Sequence, residues 1–368
     1  MKVLFCIDSL TKGGAERVIS NLSNYLVKKE ENEINVLTIL NTKVQYEFDE
    51  RVKISSLEDE KIEKLNKVSK FIQRIKKMRQ YIKENNPDVI LAFLPYTSFI
   101  VMLANRKLKK PVIISVRNDP KEEYNCKKYK ILKDKFYPKA DGFVFQTQEA
   151  KEFFQQEIQD KSVVIANPIN PEFIEPPFDG EREKNIVSVG RLYEQKNQKL
   201  LIDAFTQISD EYKDYNLIIY GEGYLRQELE NHVKELNMTE RISLPGRVDN
   251  VKEKIYKSSL FVLSSDFEGM PNALMEAMAL GLPVISTDCP CGGPKFLIDN
   301  NKNGMLVEVG NVKELSQAIK KMLDNPEEAK MMGNEANKIS ERLAPEKINK
   351  LWEDYIIEIA KNRRKNGK

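Results

Sequence analysis

Short apolar runs alternate with amphipathic stretches along this chain, and the alternation happens twice. In the first half, Val3–Asp8, Ile34–Leu40, Pro87–Leu94, Pro111–Val116, Gly142–Phe145 and Val163–Ala166 have the length and near-continuous apolarity of strands buried on both faces. Helical spacing separates them, at Ala15–Lys28, over a long amphipathic stretch at 60–84, and at Pro95–Asn105. Asn167–Lys184 then carries Pro168, Pro171, Pro176, Pro177 and Asp179-Gly180 with no periodicity, which reads as a break between domains. A second series begins at Ile186–Val189. It continues through strands at Asn216–Tyr220, 241–244, 260–263, 283–286 and Gly304–Val307, with helices predicted at 198–209, 224–236, 250–258 and 271–280.

Repeated βα units require parallel sheets covered on both faces. The expected fold is therefore α/β, two doubly wound Rossmann-like domains facing across a cleft, at 1–168 and 185–344 with a linker at 169–184. A closing segment, 345–368, carries Leu351, Trp352, Tyr355, Ile356 and Ile359 on one helical face, and is expected to pack back on the first domain. A length of 368 residues fits two cores better than one.

Composition adds bounds to this picture. Four cysteines (Cys6, Cys126, Cys289, Cys291) show neither CxxC spacing nor neighbouring histidines, which favours reduced thiols and disfavours a zinc site. Met1-Lys2 leads straight into Val3–Ile7, too short for the apolar core of an export signal, and no run reaches membrane-spanning length. A cytoplasmic protein is expected. Charge is unevenly divided: residues 1–170 hold 31 Lys+Arg against 23 Asp+Glu, a net of +8, and the remainder hold 28 against 33, a net of −5. The first half is thus suited to an anionic surface or a phosphate-bearing partner.

Four loops carry candidate chemistry. Glu268-Gly269-Met270-Pro271-Asn272-Ala273-Leu274-Met275-Glu276 follows the apolar strand at 260–263, so Glu268 belongs on a loop at a strand's C-terminal end and Glu276 about one turn inside the next helix. Ligands of open α/β sheets bind at that edge, and free helix N–H groups there suit an anionic, hydroxyl-rich molecule. A solvated turn glutamate plus a helix-surface glutamate is the plainer alternative. Val189-Gly190-Arg191-Leu192-Tyr193-Glu194-Gln195-Lys196-Asn197 follows the first strand of the second series. Its guanidinium and ammonium match a diphosphate, or else form an ordinary basic loop. Gly221 and the Arg247-Val248 pair stand after two further strands of that series. In the first half, Gly13-Gly14-Ala15-Glu16 joins a strand to a helix; it lacks the GxGxxG spacing and acidic partner of a nicotinamide fingerprint.

Together these motifs resemble the retaining glycosyltransferases of family 4, the group 1 type with the GT-B architecture. The likeness runs from the Gly13-Gly14-Ala15-Glu16 loop to the last helix. It is most specific in the Glu-x7-Glu element with its Gly269-Met270-Pro271-Asn272 interior, set behind Gly190-Arg191…Lys196. The resemblance implies that Arg191 and Lys196 hold the donor's diphosphate, so that no metal or other cofactor is needed and the nucleotide sugar is itself a substrate. It implies that Glu276 binds the ribose and Glu268 the donor sugar, as a clamp rather than an acid/base pair, with Arg191, Lys196 and Glu268 as the catalytic set. Backbone at Gly269, Met270, Pro271 and Asn272 is implied to contact sugar and phosphate, Gly14 to approach the β-phosphate, and Arg247 and Val248 to meet the nucleobase, with Gly221 in the same donor site. The acceptor or proton-transfer region is implied to include Gly13, Glu16, Arg117 and Asn118.

Two departures stand out. Many relatives carry a histidine near the donor sugar, but the single histidine here, His232, lies in a helix of the second series, and the corresponding loop reads Ser115-Val116-Arg117-Asn118. An arginine cannot act as a base, which favours transfer of the acceptor proton to the departing phosphate. Phe296 also stands where relatives usually have an acidic residue.

Over 61–83, Ile62, Leu65, Val68, Ile72, Ile75, Met78 and Ile82 make an apolar stripe beside nine Lys or Arg. Such a helix either lies on anionic lipid or covers the first sheet with a solvated basic face. Lysines 127–139 and the Lys361–Lys368 tail add charge to the same domain, favouring peripheral contact with the inner face of a plasma membrane. The expected reaction is transfer of a hexose or N-acetylhexosamine, UDP-linked, onto a polyprenyl-diphosphate-linked saccharide in bacterial capsule, exopolysaccharide or lipopolysaccharide synthesis. A non-hydrolysing UDP-N-acetylglucosamine 2-epimerase shares the fold but usually needs histidines in its site. A periplasmic-type sugar-binding protein would not need the Arg-x4-Lys loop, and nucleic acid is disfavoured because no aromatic residues interleave the charge.

Overall fold

The computed structural model describes residues 1–11 and 13–366, and their contacts group into two units: residues 1–168 with 345–366, and residues 169–344. The basic tail at the extreme C-terminus, apart from Lys361 and Asn362, lies outside the described side chains, and Lys12 lies outside the described residues.

The first unit is built on seven strands: β1 (Lys2–Ile7), β2 (Glu33–Thr38), β3 (Lys53–Ser56), β4 (Val89–Phe93), β5 (Val112–Ser115), β6 (Gly142–Phe145) and β7 (Ser162–Val164). All neighbours pair parallel in the order β3-β2-β1-β4-β5-β6-β7. Val3, Leu4, Phe5, Cys6 and Ile7 are fully buried, as are Val89 to Phe93, because helices cover both faces of a parallel sheet. The sequence pattern misses β3. Lys53-Ile54-Ser55-Ser56 has no apolar run, since it is an edge strand whose residues stay largely exposed.

The stretch predicted as one helix over 60–84 is two, Glu60–Glu63 and Lys67–Asn85. Asn66 makes the break: its side-chain oxygen accepts from the Ser69 N–H at 2.9 Å and caps the second helix. The apolar stripe divides accordingly. Met78 and Ile82 are fully buried, whereas Val68 is 71 % exposed and Leu65 and Ile72 are exposed as well.

The helix Pro345–Asn366 belongs to the first unit. Trp352 is fully buried with its ring stacked on Phe93, centroids 6.0 Å apart. The Tyr355 hydroxyl accepts from the Phe143 N–H at 2.9 Å and donates to the Lys161 carbonyl at 2.7 Å. Leu351, expected on the packing face, is exposed, because it falls just outside the arc formed by Trp352, Tyr355, Ile356 and Ile359.

The second unit has six parallel strands: β8 (Glu183–Val189), β9 (Asn216–Tyr220), β10 (Ile242–Gly246), β11 (Ser258–Leu263), β12 (Val284–Thr287) and β13 (Met305–Val307), in the order β10-β9-β8-β11-β12-β13. The proline-rich residues before β8 pack on this unit. Phe173 is buried, and the Tyr256 hydroxyl donates to the Pro176 carbonyl at 2.7 Å. In both sheets the strand order reverses at the unit's first strand, between β1 and β4 and between β8 and β11. A doubly wound sheet opens a crevice beyond the carboxyl ends of the strands at such a reversal.

Candidate active site

The reversal in the second unit lies where β8 and β11 run side by side, and the loops leaving these strands are sewn together. The Asp266 N–H donates to the Gln195 carbonyl at 2.9 Å, Ser264 Oγ to the Lys196 carbonyl at 3.0 Å, and Gln195 Nε2 to the Phe267 carbonyl at 3.0 Å. Asn197, at φ 40°, donates from Nδ2 to Asp266 Oδ1 at 2.7 Å, while its own Oδ1 accepts from the Leu200 N–H and caps the helix Gln198–Ile208. This stitching sets Lys196 opposite Glu268, and the ammonium donates to Glu268 Oε1.

Glu268 is 5 % exposed and held from several sides. Ser265 Oγ donates to the same Oε1 at 2.7 Å. The Glu268 N–H donates to the Pro290 carbonyl at 2.7 Å, and its own carbonyl accepts from the Cys291 N–H at 3.0 Å. Burial, with Glu268 alongside, pushes the Cys289 thiol well above its ordinary range, so it stays a neutral thiol. Arg191 differs from Lys196. It is exposed, has no carboxylate partner among the described residues, and lies with its guanidinium 5.1 Å from the Tyr193 ring centroid.

The helix Asn272–Ala279 follows the Glu268 loop. Pro271 occupies the position just before it, and no side chain caps its start. Glu276, 7 % exposed, is on its second turn. Gly269 and Met270 are buried, and the Gly269 carbonyl packs so tightly on Gly293 that a β-carbon there would lie 2.0 Å from it. On the other side of β8, Gly221 has φ +150°, and a β-carbon would come within 1.8 Å of the Gly190 carbonyl. Only glycine allows β8 and β9 to end this close together. Arg247 and Val248 follow β10, Arg247 being exposed. Arg191, Lys196, Gly221, Arg247, Val248, Glu268 to Asn272 and Glu276 thus share one edge of one sheet.

The remaining candidates stand on the first unit. Gly13 precedes the helix Gly14–Leu26. Its N–H donates to the Tyr46 hydroxyl at 3.1 Å, that hydroxyl donates back to the Gly13 carbonyl at 2.7 Å, and the Glu16 carboxylate folds over the space a Gly13 side chain would fill. Arg117, expected to present a polar group at the end of β5, instead turns inward. It is 9 % exposed and donates to Asn167 Oδ1, with the Ser115 hydroxyl 3.5 Å away. Burial lowers its pKa to about 9 and raises that of neighbouring Glu123 to about 8. Arg117 therefore braces its loop from beneath, and Asn118 is the more accessible of the pair. Phe296 is exposed, and the Arg342 guanidinium lies 5.0 Å from its ring. His232 pairs with Asp203 at 2.6 Å, on the helix Arg226–Glu235.

Two groups escaped the sequence reading. Ser265 looks like a strand terminator, and only the fold shows its hydroxyl on Glu268. Asp8 reads as the last residue of a strand, yet its carboxylate stands at the first unit's own reversal point and accepts from the Thr97 hydroxyl.

Comparison with known proteins identifies the family. The family model described as Glycosyl transferases group 1 matches residues 170–339, and that described as Glycosyltransferase Family 4 matches residues 12–173. In Campylobacter jejuni subsp. jejuni serotype O:2, the N-acetylgalactosamine-N,N'-diacetylbacillosaminyl-diphospho-undecaprenol 4-alpha-N-acetylgalactosaminyltransferase is 32 % identical over 90 % of this chain and 92 % of its own. From the same organism, the GalNAc-alpha-(1->4)-GalNAc-alpha-(1->3)-diNAcBac-PP-undecaprenol alpha-1,4-N-acetyl-D-galactosaminyltransferase is 29 % identical over 98 % of this chain and 99 % of its own. Among solved structures, Anabaena HepE in complex with UDP superposes with a TM-score of 0.79 at 18 % identity, over 97 % of this chain and 100 % of the other, and so shares the fold. With a Lys196–Glu268 pair at the strand-order reversal of a GT-B fold, and with relatives matching end to end, this chain belongs to the family 4, group 1 glycosyltransferases and is an enzyme of that class.

Proposed function

We propose that the protein transfers a hexose or N-acetylhexosamine, with retention, from a UDP-sugar to a polyprenyl-diphosphate-linked saccharide during bacterial surface polysaccharide synthesis. The observation that carries this reading is the pairing of Lys196 with Glu268 beside an unpaired Arg191. A half-buried ammonium already fixed by a buried carboxylate, next to a free guanidinium, is a preorganised cradle for charge that grows on a departing diphosphate. The named acceptors of the two Campylobacter relatives and the UDP in the Anabaena structure support the choice of substrates.

In this reading the C1–O bond to the UDP β-phosphate breaks and a C1–O bond to the acceptor hydroxyl forms on the same face. The hydroxyl proton passes to the departing phosphate oxygen. Arg191 and Lys196 stabilise that phosphate, so the reaction requires no metal. Glu268 holds Lys196 and meets the donor sugar, Glu276 takes the ribose hydroxyls, and the backbone at Gly269–Asn272 meets sugar and phosphate. Gly221, Arg247 and Val248 line the nucleoside end. On the first unit, Gly13, Glu16 and Asn118 border the acceptor.

A lipid-linked acceptor places the work at the cytoplasmic membrane surface. Among the described residues no helix is long and apolar enough to cross a membrane, so contact would be peripheral. Exposed Leu65, Val68 and Ile72, rimmed by Lys61, Lys64 and Lys67, suit an anionic bilayer.

The test is a UDP-sugar screen that follows UDP release in the presence of a polyprenyl-diphosphate saccharide. Wild-type protein should turn over one donor, and Lys196→Ala should lose at least about a hundredfold in kcat, the scale of one lost transition-state donor. Undiminished turnover by Lys196→Ala would sink the site assignment.

A further inference from the structure

The first unit repeats the construction of the donor site. Its strand order also reverses at the first strand, so its crevice opens between the ends of β1 and β4. In the second unit, Lys196 after β8 meets Glu268 after β11. In the first, Asp8 after β1 meets Thr97 on the helix that follows β4, Pro95–Asn105. Thr97 is fully buried and binds the Asp8 carboxylate through its hydroxyl. Burial nevertheless raises the Asp8 pKa above its ordinary value. A carboxylate has about four acceptor positions, so Asp8 can take a further hydrogen bond beyond the one Thr97 supplies.

Around Asp8 the chain assembles cations and rings from three separate segments. Leu94, a non-glycine residue at φ 68° and ψ 151°, turns the chain into the helix that carries Tyr96. That backbone region is essentially restricted to glycine, and strain of this kind is held where surrounding structure demands it. The Tyr96 hydroxyl accepts from Arg74 Nη1 at 2.7 Å, and Arg74 Nη2 donates to Glu58 at 2.7 Å, which neutralises that arginine. Lys128 is not neutralised. It has no ion-pair partner among the described residues, although it feels the Asp8 charge. Instead its ammonium stands 4.7 Å from the Tyr96 centroid, 5.2 Å from Tyr129, and 5.8 Å from both Phe71 and Phe99. Four rings localise an exposed cation without quenching its charge. The immobilisation that a flexible lysine would otherwise undergo on meeting an anion is already made.

We propose that this crevice is a binding subsite for the acceptor's head group, in which Lys128 receives a phosphate of the diphosphate and Asp8 a hydroxyl of the adjoining sugar, beside the Tyr96 and Tyr129 rings. The assignment rests on the lipid-linked acceptor reading and adds to it a location and two named contacts. Tyr96 and Tyr129 are half-buried and supply apolar ring faces of the kind that cover a pyranose. Glu58 is engaged by Arg74 and so does not oppose the incoming phosphate.

The probe for the phosphate arm is geranyl diphosphate, titrated calorimetrically into full-length protein saturated with UDP so that the donor site is filled. Wild-type protein should bind it, and Lys128→Met should weaken binding about tenfold while UDP affinity and melting temperature stay unchanged. Absence of binding by the wild type, or equal binding by Lys128→Met, overturns the phosphate contact. For the sugar arm, Asp8→Asn should raise the acceptor KM at least fivefold, leaving geranyl diphosphate affinity and the donor KM as in the wild type. An unchanged acceptor KM, or a parallel loss in donor KM, overturns the role of Asp8. Full transfer activity in Lys128→Met would reject this subsite but leave the proposed reaction standing. A wild-type protein that turns over no UDP-sugar would reject the reaction instead.

Discussion

At the scale of single residues, the donor site depends on groups that hold other groups in place. Ser265 is fully buried; its carbonyl accepts from the Thr287 hydroxyl, and its own hydroxyl donates the 2.7 Å hydrogen bond to Glu268. Ser265→Ala should cost only about 1 kcal/mol of stability. It should lower kcat about tenfold, because Glu268 and with it Lys196 lose a fixed orientation; steady-state kinetics with the donor KM unchanged would show this. Gly221→Ala acts through the backbone. At φ +150° and with the Gly190 carbonyl 1.8 Å from the new atom, the ends of β8 and β9 must separate, so a loss of more than about 2 kcal/mol is expected in chemical denaturation. Glu123 supplies a pH signature. Its pKa is raised to about 8 in the fold by burial, with Asp119 adding to the shift, and lies near 4.5 unfolded. A carboxyl raised in the fold favours the folded state fully at low pH, and that contribution is lost as pH rises from about 5 to 8. Glu123→Gln should flatten the fall in melting temperature across that window; an identical pH profile would remove Glu123 as its source.

Among elements, what the sequence makes legible depends on how much apolar surface each one buries. Strands such as Val89–Phe93 and Phe261-Val262-Leu263 announce themselves because both faces are covered, whereas β3 is an edge strand with Ser55 and Ser56 in it and leaves no such trace. The loops at the strand ends follow from the same alternation, which is why Arg191, Lys196, Glu268 and Glu276 can be assigned to one sheet edge without coordinates. Direct pairing cannot be read this way. That Lys196 meets Glu268, and that Asp8 meets Thr97, depends on β8 lying beside β11 and β1 beside β4, strands far apart in the chain. Arg117 shows the same limit in reverse. Its loop position is readable, but the inward turn toward Asn167 depends on a residue fifty positions away. The helix Lys67–Asn85 has two unlike halves. Met78 and Ile82 fix its second half in the core, while Val68 and Ile72 in the first half remain exposed beside lysines. Val68→Asp with Ile72→Asp should therefore leave the melting temperature within about 1 °C while releasing the protein from phosphatidylglycerol vesicles in a sedimentation assay. Equal vesicle binding by the double variant would assign that face to solvent alone.

For the molecule as a whole, one topology has been used twice and given opposite charge. Residues 1–168 with 345–368 hold 38 Lys+Arg against 27 Asp+Glu, a net of +11, and residues 169–344 hold 21 against 29, a net of −8, so the unit proposed to meet an anionic acceptor and membrane is the basic one. The donor unit is acidic overall yet gathers Arg191 and Lys196 at its strand-order reversal, so local placement, rather than net charge, equips it for a diphosphate. The first unit also depends on a segment distant in sequence. The helix Pro345–Asn366 returns to it, inserts Trp352 against Phe93, and binds the Phe143 N–H and Lys161 carbonyl through Tyr355. Trp352→Ala removes a fully buried ring from that core and should cost about 3–5 kcal/mol. Because Trp352 belongs to the first unit and Arg191, Lys196, Glu268 and Glu276 to the second, the damage should be confined. The variant should melt in two steps, the lower one shifted down from the wild type and insensitive to UDP, the upper one still raised by UDP as mass action requires. Calorimetric scans with and without UDP read both steps at once. A single transition raised by UDP across its whole span would mean that the two units unfold together, and that the closing helix stabilises the donor site as directly as it stabilises the sheet it covers.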